Sequence, residues 1–178
     1  MNRVLAVLLC VFGVACATHV TLPAPATVPW VDINRYQGTW YEIARLPMWF
    51  QRGCVRSMAT YGPLEPGRIT VLNECVTDRG ERKTASGYAA VIDAQSNAKL
   101  EVVFDTWLSR LFPSLVKGKY WIFFLDPDYQ TAVVGTPDRE YLWILSRTPT
   151  MDEGQYRRLV EECRALGFDT ERLIRAGG

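Results

Sequence analysis

The 178-residue chain is nearly without histidine: the single one, His19, stands close to the N-terminus ahead of a proline-rich stretch. The body therefore offers no imidazole to a zinc site or to a Ser-His-Asp relay. It also lacks an excess of charge, with 20 Lys+Arg against 19 Asp+Glu, so it carries no electrostatic footprint for nucleic acid. No G-x-G-x-x-G follows a strand pattern and no G-x-x-x-x-G-K-[ST] occurs, which leaves dinucleotide and P-loop chemistry without support. No metal site and no cofactor are expected. What is present is apolar mass, 48% of residues, against 22% charged, enough to bury the core of one domain. Binding stands ahead of catalysis.

The first thirty residues read as an address and a tether. Arg3 precedes an apolar run from Val4 to Ala15 that is shorter than the ~20 residues of a spanning helix, as in an export signal over residues 1–15. Gly13-Val14-Ala15-Cys16 resembles a bacterial lipobox, with Gly13 where leucine is usual, and makes Cys16 the expected lipid-attachment site. In that lipoprotein resemblance, Ala17 rather than Asp after the cysteine favours the outer over the inner membrane, and the body is expected to face the periplasm. The rival is Ala15-Cys16-Ala17 as an ordinary cleavage site that releases a soluble protein. Pro23, Pro25 and Pro29 make residues 16–31 an extended spacer, and the folded body is expected over 32–178.

From Gly38 onward, short runs rich in Val, Ile, Tyr, Phe and Trp alternate with Gly, Pro, Asp and Asn clusters. Eight strands fall near 38–46, 54–61, 68–75, 83–92, 99–105, 119–126, 131–135 and 141–147, a spacing that fits a sandwich or an up-and-down barrel. A hairpin folded about Leu64-Glu65 places Cys54 opposite Cys75, and an exported protein can oxidise that pair; two buried thiols, or a bond from either one to Cys163, are the alternatives. Thr150-Met151-Asp152-Glu153 reads as a capping box. It opens a helix whose apolar face is Tyr156, Leu159, Val160, Cys163 and Leu166, stopped by Gly167.

Gly38-Thr39-Trp40-Tyr41-Glu42-Ile43-Ala44-Arg45 is similar to the first signature of the lipocalin family. Asp126-Pro127-Asp128-Tyr129 resembles its second, a turn between strands six and seven, and Tyr141 to Pro149, containing Arg147, resembles its third. The resemblance covers residues 32–175 and is nearest to bacterial outer-membrane lipocalins and the apolipoprotein D branch. It implies an all-β fold: an eight-stranded antiparallel up-and-down barrel, closed at one end, with the C-terminal helix packed outside. Gly38, Trp40, Asp128, Tyr129 and Arg147 are then fold residues, with the Arg147 guanidinium over the Trp40 ring.

In such a barrel the connections after strands one, three, five and seven meet at the open end. The first holds Leu46, Met48, Trp49 and Phe50, and the fifth holds Trp107, Leu111 and Phe112. Apolar loops of this kind mark a ligand portal, a membrane or a partner, here including a homodimer closed mouth to mouth, unless they fold inward and cap the barrel. Arg52, Arg110, Lys117 and Lys119 beside them suit an amphiphile with an anionic head, a fatty acid or a lysophospholipid. Alternation turns Leu100, Val102 and Phe104 inward. In strand six it does not choose between Tyr120, Ile122, Phe124 and Trp121, Phe123, Leu125; the first set is taken as lumen-facing, with Tyr88, Trp143 and Leu145. The family resemblance implies a non-enzymatic lipid carrier serving envelope maintenance. Two further readings stay open: a thiol-dependent isomerase with Cys54 as nucleophile, and a haem or pigment binder whose iron ligand is Tyr, Cys or Met.

Overall fold

The computed structural model describes residues 22–105 and 117–177. Their backbone forms β1 (Gly38–Arg45), β2 (Cys54–Glu65), β3 (Arg68–Thr77), β4 (Arg82–Val91), β5 (Lys99–Phe104), β6 (Lys117–Leu125), β7 (Thr131–Gly135) and β8 (Leu142–Ser146). Each pairs antiparallel with the next, and β1 pairs with both β2 and β8, so the sheet closes into an eight-stranded barrel. A two-residue β9 (Ile174–Arg175), not foreseen from sequence, lies beside the open end of β1. Helix α1 (Ile33–Tyr36) precedes the barrel and α2 (Glu153–Ala165) follows it.

Two apolar clusters divide the molecule. Trp40, Ile69, Val71, Leu100, Val102 and Ile122 belong to the interior. Ile43, Phe123, Val133 and Ile144 pack outside against α2 through Leu159 and Cys163. The α2 face is the one expected, but its cap differs. Asp152, not Thr150, accepts from the backbone amides of Gly154 at 2.9 Å and Gln155 at 3.1 Å, because the helix begins at Glu153.

The three motifs meet at the closed end. The Arg147 guanidinium lies 3.9 Å from the Trp40 ring centroid and donates to the carbonyls of Tyr129, Thr39, Arg35, Tyr36 and Gln37. Gly38 has φ +96°, and a Cβ there would come within 3.1 Å of an Arg147 nitrogen. Glycine is needed on both counts. The Asp126 carboxylate accepts from the amides of Gln130 and Thr131, and the Tyr129 hydroxyl accepts from Asp32 N at 2.8 Å.

Several sequence expectations need correction. Residues 25–31 are no free spacer: Pro25 and Val31 are buried, Val28 N donates to Ile122 O and Val31 N to Ser96 O. Cys54 and Cys75 are disulfide-bonded but not opposite each other. Cys54 faces Thr77 and Cys75 faces Ser57, because the hairpin turns at Pro66-Gly67 and a bulge follows Cys54. Tyr88 points outward: Ala89 is the interior residue, and Tyr88 stacks under the Arg68 guanidinium at 5.1 Å. Phe124 packs on the outer cluster, since a register shift between Ile122 and Phe124 turns Leu125 inward in its place.

Arg147→Met removes the stacked cation and all five of its carbonyl contacts. The expected loss is about 3 kcal/mol, or a fall of roughly 6–12 °C in unfolding temperature. Arg147→Lys recovers little of it, since an ammonium cannot fork between carbonyls. Thermal melts followed by circular dichroism check both.

Candidate functional site

Strand alternation assigns the lumen. Toward the closed end it is filled by Trp40, Tyr61, Ile69, Val71, Leu100 and Ile122. On β2, β3 and β4 the inward positions then become small toward the mouth: Ala59 opposite Asn73, Ser57 opposite Cys75, and Ala85 and Gly87 on β4. Val71 is buried, Asn73 half-buried and Ala85 exposed, so the inward face opens to solvent as the mouth is approached. Two surface clefts, about 360 Å³ outside the mouth beside Met48, Trp49 and Arg172 and about 520 Å³ at the closed end beside Trp30 and Leu64, lie outside the wall.

Of the expected lining, Val102, Phe104, Tyr120, Ile122, Trp143 and Leu145 belong to the interior cluster. Tyr120 is the centre of a triad, its hydroxyl 2.7 Å from that of Tyr36 and 3.0 Å from that of Tyr61. Burial pushes all three phenols up, Tyr61 to about 12, so they remain protonated hydrogen-bonding groups at neutral pH.

At the mouth, Trp49 is 74% and Phe50 49% exposed, whereas Leu46 and Met48 are buried, Leu46 in the outer cluster against α2. Trp49 stacks edge-on to Phe50, Phe50 to Tyr141, and Tyr141 lies 6.2 Å from Trp143, an aromatic path from the loop tip to the lumen. Trp107, Arg110, Leu111 and Phe112, like Cys16, lie outside the described residues. Lys117 is drawn to Glu101 at 2.9 Å, while Arg52 and Lys119 are exposed.

Sequence reasoning missed the polar residues of the open half. Glu42 and Arg45 are only 7% and 4% exposed, with Arg45 Nε 3.2 Å from Glu42 Oε1. Gln51 ties them to the wall: its amide donates to Glu42 Oε2 at 2.8 Å and to Ser57 Oγ at 3.2 Å, and its carbonyl accepts from Trp143 Nε1 at 2.9 Å. Burial raises the Glu42 carboxyl, against the lowering pull of Gln51 and Arg45. A strand with charges at i and i+3 reads as solvated. The available signal was that Glu42 lies between Trp40 and Ile43, both core residues, with the inward phase set by Trp40.

Cys54 is bonded to Cys75 and so offers no thiolate, and burial pushes the Cys163 thiol up to about 12. Among the described residues no cluster of His, Cys, Asp and Glu could hold a metal ion, and no helix is long and apolar enough to cross a membrane.

A closed antiparallel barrel with a plugged floor, inward side chains that become small on β2, β3 and β4, and an aromatic mouth has the form of a container for a small hydrophobic ligand. The comparisons agree. The lipocalin-like domain matches residues 31–177. Temperature-induced lipocalin-1 of Arabidopsis thaliana is 43% identical over 146 residues, 80% of this chain and 77% of that one. Outer membrane lipoprotein Blc of Vibrio cholerae is 39% identical over 145 residues, 80% of each. Insecticyanin from the tobacco hornworm Manduca sexta shares the fold at TM-score 0.65 and 17% identity, covering 86% of this chain and 83% of that one. The chain belongs to the lipocalin family, whose members are in general binding and carrier proteins.

Alkylation with iodoacetamide, read by peptide mapping, is expected to leave Cys54, Cys75 and Cys163 unlabelled in the native protein. Reductant alone should expose the first two, and Cys163 should react only after unfolding. Labelling of native Cys54 would return the thiol-enzyme reading.

Proposed function

We propose that this lipocalin carries a long-chain amphiphile, a fatty acid such as palmitate or a lysophospholipid, with its alkyl chain in the barrel. The observation that carries the reading is the change along the inward face, from Trp40, Ile69 and Val71 at the floor to Ala59, Ser57, Ala85 and Gly87 near the mouth. Val102, Phe104, Ile122, Trp143 and Leu145 line the chain's path, and Tyr120 offers a hydroxyl at its deep end. Each buried methylene contributes ~0.8 kcal/mol, whereas association itself costs ~4 kcal/mol or more. A chain of a dozen carbons or so is therefore needed for useful affinity.

The reading places the protein at the outer membrane, in line with the name of the Vibrio relative, held by a lipid on Cys16 after loss of residues 1–15. Because residues 25–31 are packed on the barrel, only about eight residues after Cys16 act as spacer. Because Pro23 O accepts from Arg139 beside the mouth, so short a tether keeps the mouth near the bilayer surface, with exposed Trp49 and Phe50 suited to its interface. Envelope maintenance on the periplasmic side is the role this implies.

Native mass spectra before and after organic extraction, then quenching of tryptophan fluorescence by lysophospholipid and by palmitate, test the proposal. Co-purified lipid that leaves on extraction, with saturable one-site rebinding, is expected. Ala85→Trp, which fills the lumen from a solvent-exposed inward position, should weaken binding at least tenfold while the unfolding temperature stays within a few degrees. An extracted barrel that ignores both ligands overturns the reading.

A further inference from the structure

The open half of the lumen contains a group that a sleeve for alkyl chains does not require, the buried pair Glu42 and Arg45. A buried ion pair is weak evidence for stability, because removing two charges from water offsets most of their attraction. Its coordination is also incomplete. Arg45 donates from Nη1 to Leu46 O at 3.3 Å and from Nη2 to Gln51 O at 3.2 Å and Cys54 O at 3.4 Å. These are long for charge-assisted bonds, which run ~2.7–2.9 Å. Arg45 Nε has no aligned acceptor at all: Glu42 Oε1 is near in distance but off the N–H direction. Arg45 is thus a guanidinium at 4% exposure with an unspent donor, on the inward phase of β1 opposite Trp143.

Building on the carrier reading above, we propose that Arg45 anchors the acidic head group of the bound amphiphile, and that Glu42 takes up one proton from solvent as that head group arrives. The charge count requires it. An anion beside an ionised Glu42 and one guanidinium leaves a net negative charge in a water-poor lumen, whereas protonating Glu42 leaves the site neutral. Head-group oxygens accept from Arg45 Nε–H, and the new carboxylic O–H donates to a head-group oxygen. Among the described residues, the groups facing Glu42 are Arg45 on its own strand, Gln51 from the mouth turn, Ser57 from β2, and Trp143 and Leu145 from β8. Arg45 is the one charged partner among them. Lys83, on the inward phase of β4, is exposed at the rim. Burial already raises the Glu42 carboxyl, which lowers the cost of the protonation.

The test uses the purified, lipid-extracted protein with tetradecyl sulfate, whose charge is constant between pH 5 and 8, and tetradecanol as the uncharged control. Titration calorimetry in buffers of different ionisation heat counts protons. Tetradecyl sulfate should bind with uptake approaching one proton at pH 8 and lose up to tenfold in affinity per pH unit on the alkaline side, while tetradecanol binds independently of pH. Glu42→Gln keeps the shape and removes the charge; it should bind the sulfate at least tenfold tighter than wild type at pH 8, with no proton uptake. Arg45→Gln should lose at least tenfold for the sulfate and keep its affinity for tetradecanol. Equal, pH-independent binding of both probes by wild type overturns the anchor and leaves the carrier. Failure of both probes to bind overturns the carrier reading and the anchor together.

Discussion

The fold depends on how its floor is closed. A barrel of eight strands leaves an opening at each end, and here the lower one is stopped by Trp40 with the Arg147 guanidinium laid across it. Around that stack are gathered carbonyls that α1 and the start of β1 leave without sheet partners, and one cation satisfies them together. The same carbonyls fix where β1 begins, and so set which of its residues point inward. With Trp40 inward, Glu42 and, past the bulge at Ile43, Arg45 must also face the lumen. A clamp at one end thus determines the chemistry at the other.

Much of the architecture was legible because it rests on local patterns. Turn residues bound each strand, the α2 face follows helical spacing, and the disulfide pair is found by proximity in a hairpin. What failed depended on a shift of one or a few residues. The hairpin between β2 and β3 turns at Pro66-Gly67, a little beyond Leu64-Glu65, so the cysteines bridge on the diagonal. A bulge in β6 moves Phe124 out of the lumen, and nothing in a run as uniformly apolar as Tyr120 to Leu125 marks where a bulge falls. Tyr88 misled for another reason. A barrel that keeps a cavity turns its small residues inward, so the largest side chain of β4 belongs outside, against the usual sense of hydrophobic burial.

The aromatic mouth and packed N-terminal segment are linked through geometry. Residues 25–31 hydrogen-bond to the barrel near its floor, and β6 and the β4–β5 connection receive them. Upstream of them Pro23 O accepts from Arg139 at 2.8 Å in the connection between β7 and β8, so the described chain meets the barrel first beside its mouth and runs down to the floor. Exposed Trp49 and Phe50 lie at that same end.

Two arginines in one small barrel invite comparison. Arg147 has contacts of 2.8 to 3.2 Å from Nε and both terminal nitrogens to five carbonyls and an aromatic face beneath it, so its donors are spent on the fold. Arg45 is more deeply buried yet more poorly satisfied, with contacts of 3.2 to 3.4 Å and an idle Nε–H. Burial without satisfaction is costly, and a fold that can saturate one guanidinium so fully has no structural need to leave another short of acceptors. The deficit lies on the inward face of the barrel, between the small side chains of β2 and the indole of Trp143. The proposed anchoring of an acidic head group accounts for both its position and its unspent donor.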